Sequence, residues 1–96
     1  MFIVSLTYTS PIDAIELFLA EHVEYLDKYY ASGHFQLSGR KEPRTGGVII
    51  ARAKSTQELE QILAQDPFYR EGLARYDVTE MVPTKSSEAL GFLLNS

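Results

Sequence analysis

Near its N-terminus the chain carries Phe2-Ile3-Val4-Ser5-Leu6-Thr7-Tyr8-Thr9-Ser10-Pro11, a strand pattern that passes directly into a helix start. Within residues 2–8 the side chains alternate with a period of two, which is typical of a β-strand with one face against a core. Ser10 fits an N-cap, and Pro11 fits the first helical position, where its missing N–H costs nothing. The segment therefore predicts a first strand over residues 2–8 and a helix that begins at Pro11.

The first helix is predicted to be long and amphipathic. Apolar and aromatic side chains recur at intervals of three and four residues, which is the spacing of one helix face. The members of this stripe are Ile15, Phe18, Leu19, His22, Tyr25, Leu26 and Tyr29. Gly33 follows the last of them and fits the C′ position, where glycine readily adopts the left-handed conformation that ends a helix. His22 is thus placed on the apolar stripe, among residues that should face the core.

A hairpin and a second helix are predicted next. Strands are expected over residues 35–40 and 48–52, and the intervening residues 41–47 contain one proline and two glycines, which favours a reversal of the chain. Ser55 with Glu58 three residues later is a capping-box pattern, and it predicts the start of the second helix.

The rest of the chain is predicted to contain a turn, a fourth strand and a short helix. The second helix should end near Gln65, and a turn should run from Asp66 to Gly72. Residues 76–82 alternate again, which predicts the last strand. Residues 86–96 are expected to form a short C-terminal helix that docks on its own subunit or on a partner subunit.

This order of elements, βαββαβ, predicts an α+β fold of the ferredoxin-like type. Both helices should pack on one face of a four-stranded antiparallel sheet with the strand order 4-1-3-2. The other face would be uncovered, and apolar area of that kind rarely stays exposed in a soluble monomer. The alternation assigns to this helix-free face Ile3, Ser5, Thr7, Ile49, Ala51, Thr79 and Met81. We therefore predict a homodimer in which two sheets stack on each other.

Composition limits the class of protein. The 96 residues, 45% of them hydrophobic, suit one domain, which we assign to residues 1–85 with an extension at residues 86–96. The absence of cysteine excludes disulfides and thiolate metal sites. The formal net charge of −4, with acids and bases interspersed, argues against nucleic acid as a partner. No apolar run has the length of a membrane span, and the N-terminus lacks the basic region of a signal peptide, so we expect a cytoplasmic protein.

His22 and Asp66 are the candidate catalytic residues. A histidine on an apolar helix face is more often a hydrogen-bonded core residue than a catalyst, and Asp66 before Pro67 is a strong N-cap pattern. A capping carboxylate nevertheless keeps spare acceptor positions, so it can orient an imidazole and fix its tautomer. Brought together, the two side chains would form an acid/base pair that requires no metal. His34 has no carboxylate or second histidine at ligand spacing and is interpreted as a surface residue.

Other residues are candidates for binding a substrate. Tyr8, Phe68 and Tyr69 can line a pocket between the sheet and the helices, although aromatic residues at such positions more often pack in a core or at its rim. Arg40 and Arg44 can bind a substrate carboxylate, because the guanidinium group matches the two carboxylate oxygens. The alternative for both arginines is a solvated loop.

The chain resembles the YCII-related, or YciI-like, protein family from Met1 to about Lys85. The resemblance rests on Ala20-Glu21-His22, Ser38-Gly39, Pro43-Arg44-Thr45-Gly46-Gly47-Val48, and Ala64-Gln65-Asp66-Pro67-Phe68-Tyr69 with Gly72. Members of this family resemble dimeric α/β-barrel proteins in fold, and they carry a His and an Asp regarded as an active-site dyad. The resemblance therefore implies that fold here and assigns the dyad to His22 and Asp66. A dechlorinating enzyme that acts on a hydroxylated aromatic is among the relatives.

Together, the residues and the resemblance predict a small cofactor-independent enzyme. His22 would act as general base or acid, Asp66 would orient it, and the substrate would be a small cyclic or aromatic oxygenated molecule. Hydrolase or dehalogenase chemistry and isomerase-like chemistry are both compatible with such a pair. The alternative is a non-enzymatic dimer that binds a small molecule or serves as an accessory protein, in which His22 and Asp66 only hold a helix to a loop. A cavity at the dyad that is open to solvent would favour the enzyme.

Overall fold

The computed structural model describes residues 1–95, which form one antiparallel sheet with helices packed on one face. The strands are β1 (Phe2–Tyr8), β2 (Phe35–Arg40), β3 (Gly46–Ala51) and β4 (Ala74–Glu80). The helices are α1 (Ile12–Leu17), α2 (Leu19–Ala31), α3 (Thr56–Leu63) and the single-turn α4 (Pro67–Arg70), followed by a 3₁₀ helix (Glu88–Asn95). The strand order β2-β3-β1-β4 confirms the predicted ferredoxin-like fold, since it is the predicted order counted from the opposite edge.

The core lies between the sheet and the helices. Phe2, Val4 and Leu6 alternate along β1 and are buried on the face that the helices cover. The buried cluster includes, from the helices, Ile15, Tyr25, Leu59, Ile62, Leu63 and Phe68. Removal of this apolar surface from water is the main favourable contribution to folding.

The register of β3 corrects one prediction. Val4 of β1 lies directly opposite Ile49, and residues opposite each other across an antiparallel pair share a face. Val4 is fully buried under the helices, so Ile49 is buried there as well, with 3% of its surface exposed. The assignment of Ile49 and Ala51 to the helix-free face is therefore wrong. Because β3 carries apolar side chains on both faces, its sequence pattern does not specify which residues face the helices. The predicted assignment was therefore displaced by one residue.

The helix-free face nevertheless carries apolar side chains. Ile3 lies opposite Ile50 on one side and opposite Thr79 on the other. Leu37 of β2 also lies opposite Ile50 and is 67% exposed. An exposed apolar surface on this face is thus present as predicted, but Ile50 takes the place of Ile49 at its centre.

The predicted first helix is interrupted at Phe18, so it forms α1 and α2. Phe18 has φ −109° and ψ 6°, and its N–H donates to the oxygen of Ile15, three residues back. Neither proline nor glycine marks this break, which leaves no local signal for it in the sequence. At the start of α1, Pro11 occupies the cap position and Ser10 does not cap the helix. Gly33 follows α2 in the left-handed conformation, with φ +85°, as predicted.

The remaining boundaries differ little from the predictions. Ser55 Oγ accepts the N–H of Glu58 at 3.1 Å and caps α3 as expected. Both β3 and β4 begin two residues earlier than predicted. The C-terminal segment forms a short helix, which is of the 3₁₀ type and leaves Leu90, Phe92 and Leu94 about half exposed. Docking of this helix on a partner subunit stays a prediction.

Gly46 lets β3 approach β1 closely. A Cβ atom at this position would lie 1.8 Å from the oxygen of Leu6, far inside contact distance. We expect Gly46→Ala to lower the free energy of unfolding by about 2–3 kcal/mol or more, because the backbone of a paired strand must shift. Urea denaturation measures the loss. Gly39→Ala is the matched control, since a Cβ there has no atom within 4 Å; equal losses in the two variants would contradict the prediction.

Candidate active site

His22 and Asp66 lie side by side in the structure, although 44 positions separate them in the chain. His22 comes from α2, and Asp66 immediately precedes α4. Nδ1 of His22 is 2.8 Å from Oδ1 of Asp66. The His22 side chain is 13% exposed, whereas the Asp66 side chain is completely buried. The carboxylate therefore contacts the imidazole from the protein interior, and only the imidazole of this pair is accessible to solvent.

Three donors converge on the carboxylate of Asp66. Its Oδ1 accepts the backbone N–H of Phe68 at 3.0 Å, which caps α4, and also bonds to the His22 ring. Its Oδ2 accepts the O–H of Tyr76 at 2.5 Å. Donors on both oxygens hold the carboxylate in one orientation. Asp66 is thus both the predicted helix cap and the partner of His22.

Tyr76 is a member of the site that the sequence interpretation missed. The only sequence feature that indicates its role is its position in the alternation of β4, which places the tyrosine on the core face. A buried tyrosine O–H usually has a hydrogen-bond partner. Burial and then the charge of Asp66 raise the pKa of Tyr76 well above its usual value. The same two causes, in the same order, raise the pKa of Tyr25. Tyr76 therefore keeps its proton and acts as a donor to Asp66 at any physiological pH.

The partner of His22 determines its tautomer. A charged carboxylate only accepts hydrogen bonds, so neutral His22 carries its proton on Nδ1 and leaves the lone pair of Nε2 free. Within the described residues, Nε2 has no hydrogen-bond partner. Phe68 stacks on the imidazole with a centroid separation of 4.1 Å and an interplanar angle of 10°, which restrains the ring plane. The result is an imidazole held in one orientation, with Nδ1 bonded to Asp66 and Nε2 without a partner among the described residues.

A cavity of about 440 Å³ lies beside His22, between α2 and the sheet. Tyr8, Arg40 and Arg44 line it together with His22. The apolar part of its wall comes from Leu6, Leu19, Val23, Leu26, Val48 and Ile49. Arg44 forms an exposed ion pair with Glu16 at 3.2 Å, whereas Arg40 forms no ion pair with any described residue. A cavity with an apolar wall and a few polar groups suits a small organic molecule.

Two of the predicted binding residues are not part of this cavity wall. Phe68 lies behind the His22 ring and is only 1% exposed, so it supports the imidazole rather than a ligand. Tyr69 is half exposed and packs against the ring of Tyr76, with a centroid distance of 5.2 Å. The structure therefore brings Tyr8, Arg40 and Arg44 to His22 but places Tyr69 elsewhere.

Two features are absent from the part of the chain that the structure describes. Residues 1–95 hold no group of three or more His, Asp or Glu side chains arranged to bind a metal ion. The helices found in that range are also too short or too polar to cross a membrane.

A model of the YCII-related domain family matches residues 1–82. The chain belongs to this family. Both His22 and Asp66 fall within the matched YCII-related region, and so does Tyr76. A search of curated proteins found no significant match for this YCII-related chain.

Nine chains among solved structures match significantly. One is the 5-chloro-2-hydroxyhydroquinone dehydrochlorinase of Burkholderia phenoliruptrix, solved in complex with 2,5-dihydroxybenzoquinone. The TM-score is 0.71 with 22% sequence identity, and the match covers 84% of the YCII-related chain and 93% of the dehydrochlorinase. The two proteins therefore share a fold.

Removal of the Tyr76 hydroxyl tests the network around the carboxylate. Tyr76→Phe leaves Oδ2 of a fully buried Asp66 without its donor. We expect this variant to lose about 1–3 kcal/mol of unfolding free energy, which urea denaturation measures. Tyr69→Phe is the matched control, because that ring packs beside Tyr76 without a hydrogen bond to Asp66. A Tyr76→Phe protein as stable as this control would show that the hydroxyl does not support the site.

Proposed function

We propose that this chain is a cofactor-independent enzyme in which His22 acts as general base or acid and Asp66 orients it. One observation carries the proposal: a buried carboxylate holds Nδ1 of a histidine that forms part of a cavity wall. Nearly identical geometry could hold a helix to a loop, but a purely structural pair would not require an open cavity beside the imidazole. A positioned base of this kind contributes on the order of 10²–10⁴ to a reaction rate.

The proposed substrate is a small cyclic or aromatic molecule with oxygen substituents. The apolar part of the cavity suits the ring, and Arg40 and Arg44 suit a phenolate or carboxylate at its edge. The dehydrochlorinase that shares this fold was solved with a dihydroxybenzoquinone, which is a ligand of this class. Its chemistry supports the choice of substrate class for the present chain.

Proton transfer at Nε2 of His22 is the proposed chemical step. Removal of a proton from a ring hydroxyl or an acidic C–H yields a phenolate or enolate. Return of the proton to a ring carbon shifts the double bond, and where that carbon carries a halogen, a second deprotonation expels the halide. The same nitrogen can instead remove a proton from water for hydrolysis. Each of these reactions begins with a base and needs no exchange of electrons with a cofactor. The site therefore fits dehalogenase, isomerase and hydrolase chemistry through one common residue.

The proposed assembly is a homodimer formed by the helix-free face. Ile3, Leu37 and Ile50 would be covered if two sheets stacked face to face. This arrangement is the dimeric α/β barrel implied by the family resemblance. The exposed side chains of Leu90 and Phe92 could be covered in the same event. A cytoplasmic location stays a prediction.

Ligand screening followed by turnover tests the proposed function. Purified protein would be melted in the presence of hydroxylated aromatics, quinones and lactones, because a ligand that binds only the folded state raises the melting temperature. Each binder would then be incubated with the protein and analysed by mass spectrometry for conversion. Conversion of a binder supports the proposal. Binding without conversion favours the non-enzymatic accessory dimer, and a panel without a binder contradicts the substrate class.

A further inference from the structure

A second polar cluster lies at the C-terminal end of α2, remote in the fold from His22. Ser32, His34 and Glu58 meet there at the wall of a cavity of about 420 Å³. This cavity shares no lining residue with the one at His22. His34 was expected to be a surface residue without a partner, but it is partly buried and both of its ring nitrogens have polar partners.

The three side chains form a continuous series of contacts. Ser32 Oγ is 2.7 Å from Nδ1 of His34, and Nε2 of His34 is 3.2 Å from Oε1 of Glu58. Glu58 Oε1 also accepts the backbone N–H of Lys54 at 3.2 Å, which restrains the carboxylate. A hydroxyl, an imidazole and a carboxylate in this order are the arrangement that activates a serine as a nucleophile.

Local structure brings these residues together. Ser32 caps the end of α2, and Gly33 turns the chain with φ +85°, so that His34 returns beside the serine. Glu58 lies in the first turn of α3, where the Ser55 cap sets the start of the helix. The cluster is therefore positioned by the end of α2 and the start of α3, and each of these is specified by residues close to it in the sequence.

The carboxylate sets the tautomer of His34. A charged Glu58 only accepts, so neutral His34 carries its proton on Nε2 and presents the lone pair of Nδ1 to Ser32. The single proton of the Ser32 hydroxyl also has a second acceptor, the oxygen of Tyr29 at 3.0 Å. The contact with Nδ1 is the shorter of the two. Helix capping alone would need only the bond to Tyr29.

We propose that Ser32, activated by His34 and Glu58, is a nucleophilic site for small carboxylic esters, separate from the His22 site. Ser32 Oγ bonds to the ester carbonyl carbon while its proton passes to Nδ1 of His34. The bond from that carbon to the leaving oxygen then breaks, and the leaving oxygen takes the proton from His34. Water then attacks the acyl carbon while His34 takes its proton, the bond from that carbon to Ser32 Oγ breaks, and Oγ takes the proton back from His34, which releases the carboxylic acid.

The rest of the cavity wall suits the charge that develops in this reaction. Arg52 and Lys54 line the same cavity as Ser32. Cationic side chains near a reacting carbonyl stabilise the oxyanion of a tetrahedral intermediate. Ser32 is exposed at the surface, so a small ester reaches it without movement of the chain.

The full-length protein incubated with p-nitrophenyl acetate tests the proposal. We expect a burst of p-nitrophenolate and an acetyl group on the peptide that contains Ser32, found by mass spectrometry after rapid quenching. Ser32→Ala should abolish that adduct, and His34→Gln should slow its formation by on the order of a hundredfold. Ser10→Ala is the matched control and should acetylate Ser32 at the parent rate, because Ser10 lines neither cavity.

Two results would overturn the proposal. Acetylation confined to lysines or to the N-terminal amine, with the same burst from Ser32→Ala, would show that the serine is not a nucleophile. A His34→Gln protein that acylates Ser32 at the parent rate would show that the imidazole does not activate it. Thermal melting of each variant verifies that the fold is retained. Because the His22 cavity is not involved, either result leaves the proposed function unaffected.

Discussion

We expect Ile49→Asp to unfold the protein, whereas Ile50→Asp should fold but prevent the proposed homodimer from forming. Ile49 lies opposite Val4 on the core face and is only 3% exposed, so a carboxylate there would lose most of its contact with water. Replacement of a buried apolar side chain by a charged one costs about 4 kcal/mol or more, which is a large share of the roughly 5–15 kcal/mol that stabilises a domain. Circular dichroism at increasing urea concentration should show little or no folded protein.

Ile50 is the matched position on the other face of the same strand. It lies opposite Ile3 on the helix-free face and is partly exposed in a single subunit. Asp at this position contacts water in a monomer, so the loss of stability should be about 1 kcal/mol or less. In a stacked dimer the same charge would be buried, and sedimentation should show a monomer. A dimeric Ile50→Asp protein would contradict the proposed interface, and a folded Ile49→Asp protein would contradict the register.

Replacement of His22 should have the second large effect, a fall in the turnover rate. His22→Gln removes the proposed base but keeps a polar side chain that can bond to Asp66. Turnover of a substrate found in the screen should fall by on the order of 10²–10⁴, with little change in the binding of that ligand. Glu24→Gln, on the exposed part of α2, is the control and should leave the rate unchanged. Equal rates for the His22→Gln and parent proteins would rule out His22 as the catalytic base.

The tautomer of His22 can be measured without a substrate. Two-dimensional ¹H–¹⁵N NMR distinguishes the two neutral tautomers, and we expect the proton on Nδ1, where Asp66 accepts it. Asp66→Ala should abolish this preference. A neutral His22 protonated on Nε2 would mean that Nε2 cannot accept a proton, and the base mechanism would fail.

The sequence by itself determined the order of the strands and helices, apart from the break at Phe18 between α1 and α2. The alternation along β1, the Ser55 cap of α3, the Asp66 cap of α4 and the left-handed Gly33 after α2 all appear in the structure as predicted. Each of these features depends on residues within a few positions of one another. A helix cap satisfies N–H groups two or three residues away, and alternation needs only the geometry of a single strand. Local sequence is therefore sufficient for them.

Only the tertiary structure decided which side chains meet. Which face of the sheet Ile49 occupies depends on the register of β3 with β1. The sequence of a strand that is apolar on both faces is compatible with either register. The contact between His22 and Asp66 was expected from family resemblance, whereas the addition of Tyr76 to Asp66 came from the packing of β4. These contacts join residues that are distant in the chain, so they depend on how strands pair and helices pack against them. No spacing in the sequence encodes such distances.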